Sequence, residues 1–333
     1  VAEVQYTDNS TKYFLLRGES AKEELTVIPC ETPLPTIDLS VSGAEILPIQ
    51  AGSYTSVTWY NGKAYLGNTN FTITGKTDKN TVKVEIENAT LRLNNVNAQM
   101  QTGSPLQLGK QTTVKLIGDN LLKGGSGAAG LPVPDGKSVT IDTEKAGTLE
   151  AIGGSGAAGI GGNVQQPGGN ITILGGSVSA SSDTGDAIGS GSAGGDCGKI
   201  VITGGSVRVS AKDGREFGKT PVNKSGQALS RVILSVDKEN PPALNANGSS
   251  VKVDGVSYRI NAYHPADHHF HLYVVKGNHT IPIGDQIFDV AQLHTNVEGK
   301  GTLTVYLDDG SLSDWDMISG RSAAGVKVQD GDM

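Results

Sequence analysis

The 333-residue chain is poor in several features on which common functions depend. It contains no run of 18 apolar residues, which excludes a membrane-spanning helix. It has only two cysteines, Cys30 and Cys197, and their positions in different predicted domains favour two free thiols over a disulfide. Positive charge is also in deficit, because 27 Lys and Arg face 34 Asp and Glu for a formal net charge of −7. Nucleic acid is therefore not an expected partner.

Aromatic rings and imidazoles are scarce and unevenly placed. Aromatic residues make up 5% of the chain, and no Trp or Tyr occurs between Tyr65 and Tyr258. All six histidines follow residue 263. Apart from Phe71 and Phe217, the middle of the chain therefore lacks the flat rings on which sugars stack, and it also lacks the imidazoles that serve in catalysis or metal binding.

Glycine, in contrast, is abundant, with 46 residues, and it forms one repeated motif. The sequence GGSGAAG occurs at 124–130 and again at 153–159, and each copy has the G-x-G-x-x-G spacing of a dinucleotide-binding turn. Such a turn must lead into a helix whose N-terminal amides face the phosphates. The residues that follow, LPVPDG and IGGN, are too rich in Pro and Gly to continue as helices. A nucleotide site is therefore not predicted.

The spacing of the two copies indicates a structural repeat instead. The same offset separates GNITILGGSV at 169–178 from its near-copy GKIVITGGSV at 198–207. The shared period of about 29 residues is typical of repeat architectures. Between the glycines, apolar and polar residues alternate over short runs, as in Ile171–Ile173 and Ile200–Ile202, which predicts strands with one buried face. A propeller is the competing architecture, but its blades usually need about 40 residues or more.

These segments carry a resemblance to a known family. The stretches TVKVEIENATLRLNNV, GGNITILGGSVSA and CGKIVITGGSVRVSA resemble the glycine-rich β-helix region of bacterial cell-surface, adhesin-like proteins, which are often labelled carbohydrate-binding. A later stretch, VKVDGVSYRINAYHPADHHFHLYVVKGNH, is similar to the small β-module that often follows such a helix. The resemblance implies an architecture, and it brings no shared catalytic residues.

The predicted fold is all-β: a right-handed parallel β-helix of about 29 residues per coil, flanked by small N- and C-terminal β domains. Four segments follow from the shifts in composition. They are an N-terminal β domain or arm at 1–67, the parallel β-helix at 68–236, a small β-module at 237–307 and an acidic tail at 308–333.

Two groups of candidate site residues stand out. Sugar binding would rely on rings outside the repeats, and the candidates are Trp59, Tyr60, Tyr65, Tyr258 and Tyr263; the alternative is that these rings form the cores of the flanking domains. A transition-metal site would use His264, Asp267, His269 and His271, because alternate strand residues share a face. The alternative there is an exposed, histidine-rich hairpin.

An enzymatic role is not expected. The acids of the repeats, such as Asp142 and Asp186, are predicted to lie mostly in turns and not to stack at the repeat spacing, whereas a glycosidase needs carboxylates paired at a fixed separation. A polysaccharide lyase or hydrolase built on the repeats is kept as the second alternative to a binding function. No cofactor is predicted.

The expected function is a non-catalytic surface adhesion or binding protein, in which the β-helix is a rigid spacer and the terminal domains recognise a surface glycan or protein. The alternative is a self-assembling structural subunit of an extracellular filament or phage appendage, because an open strand edge can add a strand from a neighbour. An extracellular or cell-surface location is expected, since a chain that begins at Val1 fits an exported product whose signal has been removed.

Overall fold

The computed structural model describes residues 2–5, 11–14, 26–29, 36–48, 56–66, 69–234, 250–259, 270–275, 278–283, 301–307 and 326–330. Throughout these residues the regular elements are β-strands, so the all-β prediction is confirmed. No helix in them is long and apolar enough to cross a membrane. The strands are β1 (Ala2–Gln5), β2 (Thr11–Phe14), β3 (Thr26–Pro29), β4 (Ile37–Asp38), β5 (Ala44–Leu47), β6 (Val57–Tyr60), β7 (Lys63–Leu66), β8 (Asn70–Thr77), β9 (Val82–Val84), β10 (Asn88–Gln99), β11 (Leu106–Gln107), β12 (Gln111–Lys123), β13 (Leu131–Pro132), β14 (Ser138–Ile152), β15 (Ile160–Gly161), β16 (Asn170–Ile173), β17 (Ser177–Ser182), β18 (Ile188–Gly189), β19 (Ile200–Ile202), β20 (Ser206–Ala211), β21 (Leu229–Leu234), β22 (Ser250–Val253), β23 (Val256–Arg259), β24 (Phe270–Val275), β25 (Asn278–Ile283), β26 (Gly301–Leu307) and β27 (Val326–Asp330).

The largest sheet is built from successive parallel strands in the order β19-β16-β14-β12-β10-β8-β4, with β17 and β20 continuing from β14. In-register pairing places one apolar residue of each strand above the next, in the column Leu91, Val114, Ile141, Ile173 and Ile202. All five side chains are buried. The alternation read from the sequence therefore produces continuous apolar columns, in which each side chain packs against its counterparts on the two neighbouring strands.

The predicted repeat spacing holds for the later strands and fails for the earlier ones. Ile173 pairs with Ile202 at that spacing, whereas Asn70 pairs with Thr90 and Asn88 with Gln111 at shorter ones. The difference lies in the connections, since the glycine-rich segments that follow β12 and β14 are longer than the turn that follows β10. Strand pairing fixes the register and leaves the length of the surface loops free to vary.

A bend recurs at the same place in successive strands. Residues with positive φ stand there, at Gly75, Asn95, Gly118, Gly176 and Gly205. This region of backbone conformation suits glycine and tolerates asparagine. In the long strands the bend coincides with breaks in the pairing register. Each repeat therefore presents two flat faces that meet at this bend.

Short parallel strands form a third group that precedes each long strand in the chain. β11 pairs with β9, and β13, β15 and β18 form a three-stranded sheet. Their apolar residues Val82, Leu106, Leu131, Ile160 and Ile188 are buried. The three groups of strands therefore share a common apolar core.

Residues 36–66 extend these sheets across the predicted boundary at 67/68. β4 pairs with β8, and β5 pairs in parallel with β9. β5 also begins the antiparallel meander β5-β6-β7, and β3 pairs with β7. The N-terminal strands and the repeats therefore share sheets.

The C-terminal strands pack against the last repeats. β24 pairs antiparallel with β21, and the ring of Tyr273 meets Phe217 edge-on with centroids 5.4 Å apart. The backbone N–H of His271 donates to the Ser206 hydroxyl at 2.8 Å. Buried Arg231 binds Glu216 at 3.0 Å. The β22–β23 hairpin reaches the repeats through Arg259, and β25, β26 and β27 form a separate antiparallel sheet that includes part of the predicted acidic tail.

Candidate functional site

A row of four side chains crosses β6, β5, β9 and β11. Trp59 pairs with Glu45, Glu45 pairs with Lys83, and Lys83 pairs with Gln107. Residues in register on neighbouring strands point to the same face of a sheet. Their neighbours along the strands are the buried residues of the core, so the row lies on the outer face.

This row forms the floor of a groove of about 350 Å³, which we call the Trp59 groove; it is lined by Gly43, Ala44, Glu45, Trp59, Thr81, Lys83 and Gln107. The indole of Trp59 is half-buried. The Lys83 ammonium is held by Glu85 at 2.7 Å. Gly43 has a backbone role, because a Cβ at this position would collide with the carbonyl oxygen of Thr81. Only glycine lets these two chain segments approach closely enough to form the wall of the groove.

The chemistry of the Trp59 groove suits a polyhydroxylated ligand. A partly exposed indole offers a flat apolar surface with a polar N–H at its edge. A carboxylate, an ammonium and an amide follow it along the row, from Glu45, Lys83 and Gln107. These groups both donate and accept hydrogen bonds, as sugar hydroxyls do.

The other candidate rings have different positions. Tyr60 and Tyr65 are buried in the apolar core, and the Tyr60 hydroxyl accepts a hydrogen bond from the backbone N–H of Asp38 at 2.8 Å. The hydroxyl of half-buried Tyr258 donates to the carbonyl of Tyr273 at 3.1 Å. Burial and the nearby charge of Asp254 raise the pKa of Tyr258. Tyr263 lies outside the described residues. Among the five predicted rings, Trp59 is the one that lines a described groove.

The predicted metal ligands are mostly outside the described residues, which include none of His264, Asp267 and His269. His271 is described and is buried in β24, so it differs from the solvent-facing imidazole of an exposed hairpin. Within the described ranges, no group of three or more His, Cys, Asp or Glu side chains is arranged to hold a metal ion.

Two acids of the repeats, Asp142 and Asp186, are buried in ion pairs, and Asp142 also lies within a strand where a turn was the expectation. Asp142 lies within β14 and binds the Lys115 ammonium at 2.7 Å and the Arg259 guanidinium. Burial alone would raise the pKa of Asp142, but the hydrogen bond from Lys115, a backbone N–H and the charge of Arg259 outweigh it and hold that pKa below its ordinary value. Asp186 binds Arg215, which stands one repeat later, at 2.9 Å.

The glycine motifs lead into strands, which agrees with the prediction that the residues after them do not continue as helices. β13 follows the first copy and β15 follows the second. The backbone amides of the motifs bind the chain itself, since the N–H of Gly154 donates to Ala128 at 2.9 Å and that of Gly127 to Ser155 at 3.1 Å. These amides are used within the stack of loops and do not form a phosphate cradle.

Comparison of the chain with protein-family models, with curated proteins and with solved structures gives no match. The functional interpretation therefore rests on the geometry of the site.

Three members of the Trp59 groove were missed by sequence reasoning. Glu45, Lys83 and Gln107 each alternate with buried residues, which marks them as outward-facing. Their convergence depends on the parallel pairing of β5 with β9 and β9 with β11, and the irregular lengths of the connecting loops conceal that pairing.

Proposed function

We propose that this chain is a non-catalytic, extracellular or surface-exposed adhesion protein that binds a glycan at the Trp59 groove. The observation that carries the proposal is the partly exposed indole of Trp59 at the end of a row of polar side chains on an outer face. A pyranose ring presents an apolar face and a rim of hydroxyls. In the groove, the indole can pack on the apolar face while the polar side chains bond to the hydroxyls.

The scaffold of this proposal is a right-handed parallel β-helix that serves as a rigid spacer. Its support is the recurrence of three groups of parallel strands in one order along the chain, with a positive-φ residue at the same bend. The handedness follows from the strong preference of parallel crossover connections for the right-handed form. Stacked apolar columns make such a scaffold stiff, because each repeat contacts the next along its whole width.

Binding without catalysis agrees with the placement of the carboxylates. Glycoside hydrolysis uses two carboxyl groups across the scissile bond. Among its described lining residues, the Trp59 groove has one carboxylate, that of Glu45. The buried acids Asp142 and Asp186 are bound to basic side chains, an arrangement that serves stability.

The proposal is tested by affinity gel electrophoresis of the purified chain through gels that contain xylan, hydroxyethyl cellulose, galactan or laminarin. We expect at least one polysaccharide to retard the chain, Trp59→Ala to abolish the retardation, and Trp59→Phe to retain part of it because a ring remains. Loss of one stacked ring costs about 1 to 3 kcal/mol, or about 5- to 150-fold in affinity.

A matched pair of lysine variants provides the control. Lys83 lies in the groove, whereas Lys110 is an exposed lysine paired with Glu87. Lys83→Met is expected to weaken retardation and Lys110→Met to leave it unchanged. Retardation that persists in Trp59→Ala, or no retardation by any of the four polysaccharides, contradicts the proposal.

A further inference from the structure

A second groove lies on a different face of the repeats, across β10, β12, β14 and β17. Its volume is about 240 Å³, and we call it the serine groove. The polar residues that line it are Asn97, Asp119, Asn120, Thr148, Glu150, Ser177 and Ser179. None of them belongs to the Trp59 groove, which uses other strands.

The register explains how these side chains meet. Asp119 pairs with Thr148, Thr148 with Ser177, and Ser177 with Ser206, so the four form one row across the face. The Thr148 hydroxyl donates to the Asp119 carboxylate at 3.0 Å. Two residues further along the strands, Glu150 pairs with Ser179 and forms a second row on the same face.

One hydroxyl of the first row, that of Ser206, is covered by another strand and accepts a hydrogen bond from it. At the far end, the Ser206 hydroxyl receives the backbone N–H of His271 at 2.8 Å, where β24 packs on β20. Ser177 stands one strand earlier and lines the groove. Its hydroxyl is therefore placed to accept an N–H donor from a ligand in the position that His271 takes over Ser206.

The floor of the serine groove carries two serines that are almost entirely covered. Ser177 is 2% exposed and Ser179 is 6% exposed. Within the described ranges no hydrogen bond involves either hydroxyl, and neither hydroxyl oxygen is among the fully enclosed polar atoms that lack a partner. Each hydroxyl therefore keeps access to the groove and can bond to a ligand there.

The charge of the serine groove selects the kind of ligand. The carboxylates of Asp119 and Glu150 are both exposed at its edge. No Lys, Arg or His is found among the described residues that line it. Ionised carboxylates only accept hydrogen bonds, and they bind most strongly to charged donors. The groove therefore favours a ligand that carries positive charge and several donors.

We propose that the serine groove binds a hydroxylated primary amine of the amino-sugar class. Its ammonium group binds Asp119 and Glu150, and its hydroxyls and N–H groups satisfy Ser177 and Ser179. The second observation that supports this, beyond the pair of acids, is that Ser177 and Ser179 are more than nine-tenths buried, line the groove, and make no hydrogen bond within the described ranges. The site is independent of the Trp59 groove and does not rest on the proposed function.

The test compares two probes that differ at one position, where a charged ammonium group is replaced by an uncharged and larger acetamide group. The chain is titrated with 2-amino-2-deoxyglucose and with its N-acetyl form at about pH 6, where an amine is protonated. Binding is followed by the amide chemical shifts of β14 and β17. We expect saturable shifts with the amine and binding at least about tenfold weaker with the N-acetyl form, as a charged hydrogen bond of about 1.5 to 3 kcal/mol implies.

Variants assign the binding to the serine groove. Glu150→Gln keeps the shape and removes the charge, so it is expected to weaken amine binding about tenfold or more. Ser177→Ala tests the hydroxyl and is expected to weaken binding of the same probe. The control is Glu87→Gln, which removes an exposed carboxylate paired with Lys110 away from the groove and is expected to change nothing.

Three results overturn the proposal: no saturable binding of the amine, equal binding of the N-acetyl form, or an equal effect of Glu150→Gln and Glu87→Gln. Trp59→Ala separates the two proposals, because it removes glycan retention and is expected to leave binding of the amine unchanged.

Discussion

Truncating one side chain of the apolar column measures how much the packing between repeats contributes to the free energy of unfolding. Ile173 is fully buried and lies between Ile141 on one side and Ile202 on the other. Ile173→Ala removes three carbon atoms, which at about 0.8 kcal/mol each amounts to about 2.4 kcal/mol of transfer free energy. The cavity adds to this, because neighbours fixed in two strand pairings relax little, and the total expected is about 3 to 4 kcal/mol.

Thr172→Ala is the matched control, since Thr172 is the adjacent residue of β16 and points to the opposite, outer face. Its effect on the free energy of unfolding is expected to stay within about 0.5 kcal/mol. Urea unfolding of both variants is followed by far-ultraviolet circular dichroism. A loss below about 1 kcal/mol for Ile173→Ala, or equal losses in the two variants, refutes the inward assignment of the column.

Three other perturbations test separate parts of the account. The folded-state pKa of Asp142 lies below its ordinary value of 3.8, so the stability from its ion pairs is present above that value and is lost as the pH falls through the folded pKa. The urea concentration at the unfolding midpoint is therefore expected to decrease when the pH is lowered below about 4. The decrease is expected to be smaller in Asp142→Asn, which has no carboxylate to protonate. Gly159→Val is expected to prevent folding, because even a Cβ would lie 2.8 Å from the carbonyl oxygen of Ala187 and 2.8 Å from the backbone nitrogen of Ser181. Millimolar NAD or ATP is expected to leave the melting temperature of the parent chain unchanged. Stabilisation by either nucleotide contradicts the assignment of the glycines to the stack of loops. Analytical ultracentrifugation is expected to show a single small species, and large polymers would instead favour the alternative of a filament subunit.

The regular half of the fold could be predicted from the sequence because its signals are local and repeated. The alternation at Ile171–Ile173 and its recurrence at Ile200–Ile202 are visible in the letters, and both pairs stack in register. The shorter repeats before β12 were not predicted, because the glycine motif that defines the period begins only after that strand.

The long-range polar contacts could not be predicted. Arg259 lies 117 residues after Asp142, and only the packing of the β22–β23 hairpin on the repeats joins them. Asp142 belongs to a group of acids predicted to lie mostly in turns, although it alternates with Ile141 in a strand that pairs on both sides.

The two grooves differ in how much the sequence contains about them. Trp59 was a candidate from residue type alone, because rings are rare near the repeats, but its partners depend on sheet register. The serine groove had a signal that was overlooked: Ser177 and Ser179 alternate with Val178 and Ala180, which places two hydroxyls together on the face opposite the core. The carboxylates of that groove come from other strands, so the sequence alone does not assemble it.

The central claim, that the partly exposed indole of Trp59 binds a glycan, is tested most directly by the fluorescence of that indole. The chain has two tryptophans, so Trp315→Phe leaves Trp59 as the only one. Quenching by acrylamide is measured with and without the polysaccharide that retards the chain most strongly. We predict that the polysaccharide shields Trp59 and lowers the quenching constant in a saturable way. An unchanged quenching constant at concentrations that retard the same variant in the gel would contradict the claim.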